Sequence, residues 1–157
     1  MAADLDRLDR RLLSALQEDA ALTNDALADL AGLSPSAVHR RVRRLETAGV
    51  IERRVAVVDP VAVGRPAIFL VSVEVERERP DFVGKLRDWF RAEPAVQQSY
   101  YVTGTADYVL LVNASDIQAF DALMSDMMAA NPNVRRFTTN VVMSTIKRGL
   151  SVPIYES

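Results

Sequence analysis

Leu5, Leu8, Leu12 and Leu16 recur at three- and four-residue intervals with Leu13 beside them, which predicts an amphipathic helix over residues 4–19. Acids gather at its start, where they suit the helix dipole. Thr23 is a natural N-cap for a second, short helix over 24–31 whose Ala26, Leu27 and Leu30 share an apolar face, and Gly32 ends it. Ser34 then caps a third helix, with Pro35 at its first position. Two short helices joined by a tight Gly-containing turn make a helix-turn-helix. In the third helix, residues 35–48, Val38, Val42 and Leu45 fall at i, i+4 and i+7 and must point inward. That phase turns Ser36, His39, Arg40, Arg43 and Arg44 outward. Gly49 terminates the helix, and Val50 and Ile51 begin an extended segment carrying Arg53 and Arg54.

Beyond residue 59 the period changes. Residues 60–66, with Pro60, Gly64 and Pro66, read as a hinge between a first domain, 1–59, and a second, 67–157. Phe69, Val71, Val73 and Val75 alternate along a strand at 68–76. Pro80 opens a helix to about residue 92 with Phe82, Leu86 and Trp89 inward, and Pro94 stops it. Strands follow at 95–103 and 108–113 around a turn at 104–107. Ser115 and Gln118 suggest a capping box for a helix to residue 130 that packs Ile117, Phe120, Met124 and Met127, and a long last strand occupies 134–147. The order β-α-β-β-α-β is the ferredoxin-like unit, so the fold class is α+β. Both helices on one face leave the other face of the sheet open, which predicts self-association through it. The internal methionines read as core or interface filler.

Composition changes the picture only when it is resolved along the chain. The net charge of the 157 residues is −2. Residues 1–32 hold three Arg against seven acids, residues 33–54 hold six Arg against Glu46 and Glu52, and the remainder is mildly acidic. The +4 block coincides with the third helix and its exit. A local cluster of cations is what phosphate contacts require, whatever the overall charge. Early residues of such a helix reach base edges while flanking cations hold phosphates, so the candidate DNA contacts are Ser34, Ser36, His39, Arg40, Arg43, Arg44 and Arg53. Arg41 lies beside the buried stripe, where an acid of the first helix competes with DNA for it. No cysteine and one histidine exclude a disulfide framework and a His- or Cys-rich metal site, and no cofactor is expected. An acidic N-terminus and the absence of any run near the ~18 apolar residues of a membrane span lead us to expect a cytoplasmic chain with no membrane partner.

The run LDRLDRRLLSALQEDAALTNDALADLAGLSPSAVHRRVRRLETAGVIERRVAVVDP resembles the N-terminal, winged helix-turn-helix domain of the Lrp/AsnC (leucine-responsive or feast/famine) transcription regulators. The second half, through VTGTADYVLLVNASDIQAF with Gly104 and Asp107 in a G-x-x-D pattern and TNVVMSTIKR near the end, is similar to the family's effector-sensing RAM domain, itself ACT-like. The resemblance implies a DNA-binding regulator controlled by an amino acid or related metabolite held at a subunit interface, in a dimer that assembles further, commonly to an octamer. Local chemistry is compatible with this. Thr103 and Thr105 offer hydroxyls, Gly104 allows close approach, and Asp107 can receive an ammonium group. Tyr100, Val102, Tyr108, Met143 and Ser144 are candidates to frame the effector. An ordinary hairpin connection would also choose Gly and Asp here. Two other functions stand beside the main reading: an effector-independent architectural DNA binder, and a tetrapyrrole-modifying enzyme, since sirohaem decarboxylases resemble the same family. The second domain has no His or Cys and shows no nucleophile–base pair, so we expect no catalysis.

Overall fold

The computed structural model describes residues 4–76 and 80–155, with Pro80 and Asp81 described through their backbone alone. Two compact units emerge, one of residues 1–57 with 147–157 and one of residues 58–146.

The first unit is built on three helices, α1 (Arg7–Glu18), α2 (Asn24–Ala31) and α3 (Pro35–Thr47). Helix α1 starts later than its leucine spacing suggests, because Asp6 and Asp9 form a reciprocal capping box that defines its first turn. Thr23 and Ser34 cap α2 and α3 by accepting the backbone N–H groups of Ala26 and Ala37 at 3.2 and 3.3 Å. Gly32 closes α2 at φ 67°, a left-handed conformation that glycine adopts without a side-chain penalty. Leu12, Leu27, Ala28, Ala31, Val38 and Val42 form the core, with Leu16, Leu33 and Ile51 packed on it. Leu30, expected inside, is 48% exposed; Ala28 and Ala31 take the inner face and let the helices approach closely. Residues 52–58 form no strand. Residues 147–157, expected with the second domain, group with the first: the Gln17 amide donates to the Val152 carbonyl at 3.0 Å and accepts the Val152 N–H at 2.7 Å.

The second unit carries β1 (Ala67–Val75), α4 (Pro80–Ala92), β2 (Val96–Tyr101), β3 (Tyr108–Ala114), α5 (Ile117–Ala130) and β4 (Val134–Val141). The strands pair antiparallel in the order β2-β3-β1-β4. Phe69, Val71 and Val73 of β1 and Tyr108, Leu110 and Val112 of β3 bury their side chains with Leu86 and Phe90 of α4 and Phe120, Met124 and Met127 of α5. Phe69 stacks on Phe120 with ring centroids 3.9 Å apart. Trp89, expected inside, only packs at the margin of this core, and Phe90 occupies the interior. Helix α5 is capped by Asp116, whose Oδ1 accepts the Ala119 N–H at 2.8 Å, and not by Ser115, which hydrogen-bonds the Asp116 carboxylate instead. An anionic acceptor is favoured at the positive end of a helix, and the one-residue shift leaves Ile117 exposed. Strand β4 ends at Val141, with one further bond from Val142 N–H to the Ile68 carbonyl, because β1 supplies no partner beyond that point. Residues 143–147, expected to extend the strand, lie outside it.

Candidate DNA-binding helix and effector pocket

The caps and apolar phase of α3 fix which side chains it presents. Val38, Val42 and Leu45 are buried, and Ser36, His39, Arg40 and Arg43 stand exposed along the other side. Ser34 is engaged as the cap, and its hydroxyl lies 3.1 Å from that of Ser36. The arginines divide into two groups. Arg41 Nη1 donates to Asp6 Oδ2 at 2.6 Å and to Asp9 Oδ1 at 2.8 Å, Arg44 donates to Asp9 Oδ2, and Arg54 pairs with Glu46 at 2.9 Å. Arg40, Arg43 and Arg53 pair with no carboxylate among the described residues. Arg44, grouped with the DNA contacts on sequence, is therefore tied to α1, although its side chain keeps 55% of its exposure.

Asp9 is the residue that sequence reasoning missed. Its side chain is 1% exposed, yet it accepts from Arg41, from Arg44 and, at 3.2 Å, from the backbone N–H of Asp6. A buried carboxylate is tolerated only when paired and hydrogen-bonded, and here the pairing locks α3 against α1. The spacing D-x-x-D at Asp6 and Asp9 was the available signal. The Asp6 carboxyl is held below its ordinary range, first by the backbone N–H of Asp9 and then by Arg41. Carboxylates on Arg41 and Arg44 leave the positive field of α3 concentrated on Arg40 and Arg43, seen from solvent.

In the second unit the turn between β2 and β3 is pinned at both ends. Val102 N–H donates to the Asp107 carbonyl at 2.9 Å, and Asp107 N–H donates to the Val73 carbonyl at 3.0 Å. The Asp107 Oδ2 accepts the Val75 N–H at 2.8 Å, filling the irregularity of β1 at Glu74/Val75. Asp107, expected to meet an ammonium group, thus has one carboxylate oxygen in the fold itself. Gly104 has φ 127°, and Thr103 and Thr105 are exposed beside it. Tyr100 is exposed with its hydroxyl on Gln98 at 3.1 Å, Val102 is half-buried, and Tyr108 is buried.

Met143 and Ser144 are not brought to this turn within one chain. The turn is bonded to Val73 and Val75, at the end of β1, whereas residue 142 is bonded to Ile68, near its beginning. Five residues along β1, about 16 Å at the usual rise, separate them. Met143, 92% exposed, can join the turn residues only through a second copy.

No group of three or more His, Cys, Asp or Glu among the described residues is arranged to hold a metal ion, and no described helix is long and apolar enough to cross a membrane. A helix-turn-helix with cations on its second helix, followed by a ferredoxin-like domain, defines a DNA-binding regulator with a separate sensing module. The sequence pattern of the winged helix-turn-helix DNA-binding domain matches residues 5–52, and that of the Lrp/AsnC ligand binding domain matches residues 68–152. An HTH-type transcriptional regulator of Sinorhizobium fredii is 43% identical over 98% of this chain and 90% of its own length. The crystal structure of an AsnC family transcriptional regulator from Agrobacterium tumefaciens matches with a TM-score of 0.89 at 35% identity, covering 95% of this chain and 97% of that one. A transcriptional regulator of Neisseria meningitidis, solved in complex with L-Met, matches with a TM-score of 0.89 at 30% identity over 95% of this chain and 96% of that one. The chain belongs to the Lrp/AsnC family of transcriptional regulators.

Proposed function

We propose that the chain reads DNA in the cytoplasm with the exposed side of α3 and changes its grip when an amino acid or related metabolite binds at the β2–β3 turn of a self-associated second domain. The observation that carries this reading is the division of the arginines: carboxylates hold Arg41 and Arg44, while Ser36, His39, Arg40 and Arg43 face outward on a capped helix. Arg40 and Arg43 serve as the principal base or phosphate contacts, Arg53 as a flanking phosphate contact, Ser34 as the cap that aims the helix, and Arg44 as a tether. The L-Met complex of the Neisseria meningitidis relative supports an amino-acid effector. Thr103, Gly104 and Thr105 supply its polar cradle, with Val102 and Tyr100 beside it and Met143 and Ser144 delivered by another copy. Dimers joined through the open sheet, and a higher assembly such as an octamer, suit both roles, because a two-fold protein reads two half-sites.

Binding of the chain to DNA from upstream of its own gene, titrated against salt, tests the reading. Arg40→Ala and Arg43→Ala should each weaken binding by about tenfold or more, and loss of a phosphate contact should reduce the salt slope by about one. Unchanged affinity in both variants would remove α3 as the reading helix. Saturating ligand should raise the melting temperature of the intact chain. The engagement of Asp107 by Val75 favours one competing reading, an effector-independent DNA binder, which predicts no shift with any amino or keto acid.

A further inference from the structure

Helix α4 lies beside β2, an edge strand of the sheet, and between them is a cavity of about 410 Å³ lined by Arg87, Phe90, Arg91, Ser99, Tyr101 and Tyr108 among others. Three features make it more than a surface dent. Arg87 and Arg91 are one helical turn apart on α4 and so face the same space. The Arg87 guanidinium lies 5.3 Å over the ring of Tyr101, a neutral partner, and Arg91 meets Asp88 at 2.7 Å in a solvent-exposed pair of the kind that contributes little. Tyr108 is 3% exposed, and its buried hydroxyl has no hydrogen-bond partner among the described residues. A buried hydroxyl left unpaired is destabilising, and such groups in folded proteins are nearly always satisfied.

We propose that this cavity is a second ligand site, distinct from the β2–β3 turn, which takes a small monocarboxylate with an apolar body. The Arg87 fork matches the two oxygens of a planar carboxylate. Ser99 Oγ supplies a hydroxyl donor, Tyr108 lines the cavity with its unpartnered Oη closed to water in the free chain and available to a carboxylate that displaces its cover, and the rings of Phe90 and Tyr101 wall the apolar part. Tyr108 ties the cavity to the turn, since its ring stands 5.4 Å from that of Phe90 and 5.3 Å from that of Tyr101 while its backbone begins β3 directly after Asp107. Arg91 reinforces the charge once Asp88 yields it.

Trp89, the only tryptophan, sits on α4 with its ring centroid 6.0 Å from that of Phe90 and reports on the wall of the cavity. Titration of the intact chain with phenylacetate should give a saturable change in its fluorescence, and phenylacetamide, uncharged but of the same shape, should give none. Arg87→Gln and Tyr108→Phe should each weaken phenylacetate binding about tenfold or more. Tyr108→Phe keeps the ring and removes only the unpaired hydroxyl, so it should melt no lower than the parent, which separates lost binding from lost folding. No saturable change in the parent, affinity unchanged from the parent in both variants, equal binding of the amide, or displacement of phenylacetate by inorganic phosphate at equal concentration would each overturn the assignment. A site that fails these tests while amino acids still shift the melting temperature leaves sensing at the turn intact; the reverse pattern removes the turn and keeps the cavity.

Discussion

Asp9 concentrates three bonds on one carboxylate: the cap of α1, the tether of Arg41 and the tether of Arg44. Replacing it by Asn keeps the shape and an acceptor oxygen but leaves two guanidiniums without their counter-charge. Both arginines retain some exposure and can rehydrate, so Asp9→Asn should cost about 2 kcal/mol, below the ~3–5 kcal/mol for breaking a fully buried pair. Urea denaturation followed by circular dichroism measures it, and a loss under about 0.5 kcal/mol would mean that the pairs merely coexist with the fold. Acid should act in the same direction. Asp6 is lowered by the Asp9 N–H and Arg41, Glu74 by Arg136, and Asp116 by the Ala119 N–H. A depressed carboxyl makes the native state bind fewer protons than the unfolded chain above its folded value. The stability is therefore fully present above the ordinary carboxylate range near pH ~4 and is lost as pH falls through the folded values. The melting temperature should be level from pH 7 to about 5 and drop below about 4, with a smaller drop in Asp6→Asn; a loss centred near pH 6 would contradict this assignment.

The elements were legible where a cap and a period agreed. Thr23, Gly32, Ser34 and Pro35 mark ends that the backbone confirms almost residue for residue, because each cap answers a definite unsatisfied N–H or a definite left-handed turn. Where period acted alone the reading slipped: apolar alternation continues past Val141, but a strand needs a partner, and the start of β1 decides where β4 ends. Asp107 illustrates the same limit in the candidate site. A sequence offers its carboxylate to a ligand, and only the fold shows that the Val75 N–H is bonded to it. Gly32 provides a test at this scale. Apart from its chain neighbours, no described residue comes within 4 Å of where a Cβ would stand, so Gly32→Ala should lose stability through backbone conformation alone. About 1 kcal/mol is expected, and Gly32→Asn should lose less, since Asn tolerates the left-handed region. Equal stability of all three chains in thermal melts would show that the turn relaxes.

For the whole molecule, the side of the sheet away from α4 and α5 is the surface that one copy leaves unfinished. The pairing places Leu70 of β1 opposite Leu111 of β3, with Ile68 opposite Asn113 and Val109 opposite Ser72 on the same face, and with Tyr100 and Gln98 on one flank and Thr138 and Asn140 on the other. Leu70 keeps 42% of its exposure, and Glu74 of β1 closes one end by pairing with Arg136 of β4 at 2.6 Å. An apolar centre within a polar rim is the anatomy of an interface between copies, and the separation of Met143 from the turn calls for one if they share an effector. Placing a charge in that centre should divide the assembly. Leu111→Glu, half-buried in one chain and buried against a second copy, would desolvate an unpaired carboxylate on association. Sedimentation equilibrium should then show a shift toward the mass of one chain, 17.4 kDa. DNA affinity should fall by at least about tenfold as the second half-site contact is lost, while circular dichroism stays that of the parent. If the mass is unchanged, the copies meet elsewhere and the open sheet is not the seam.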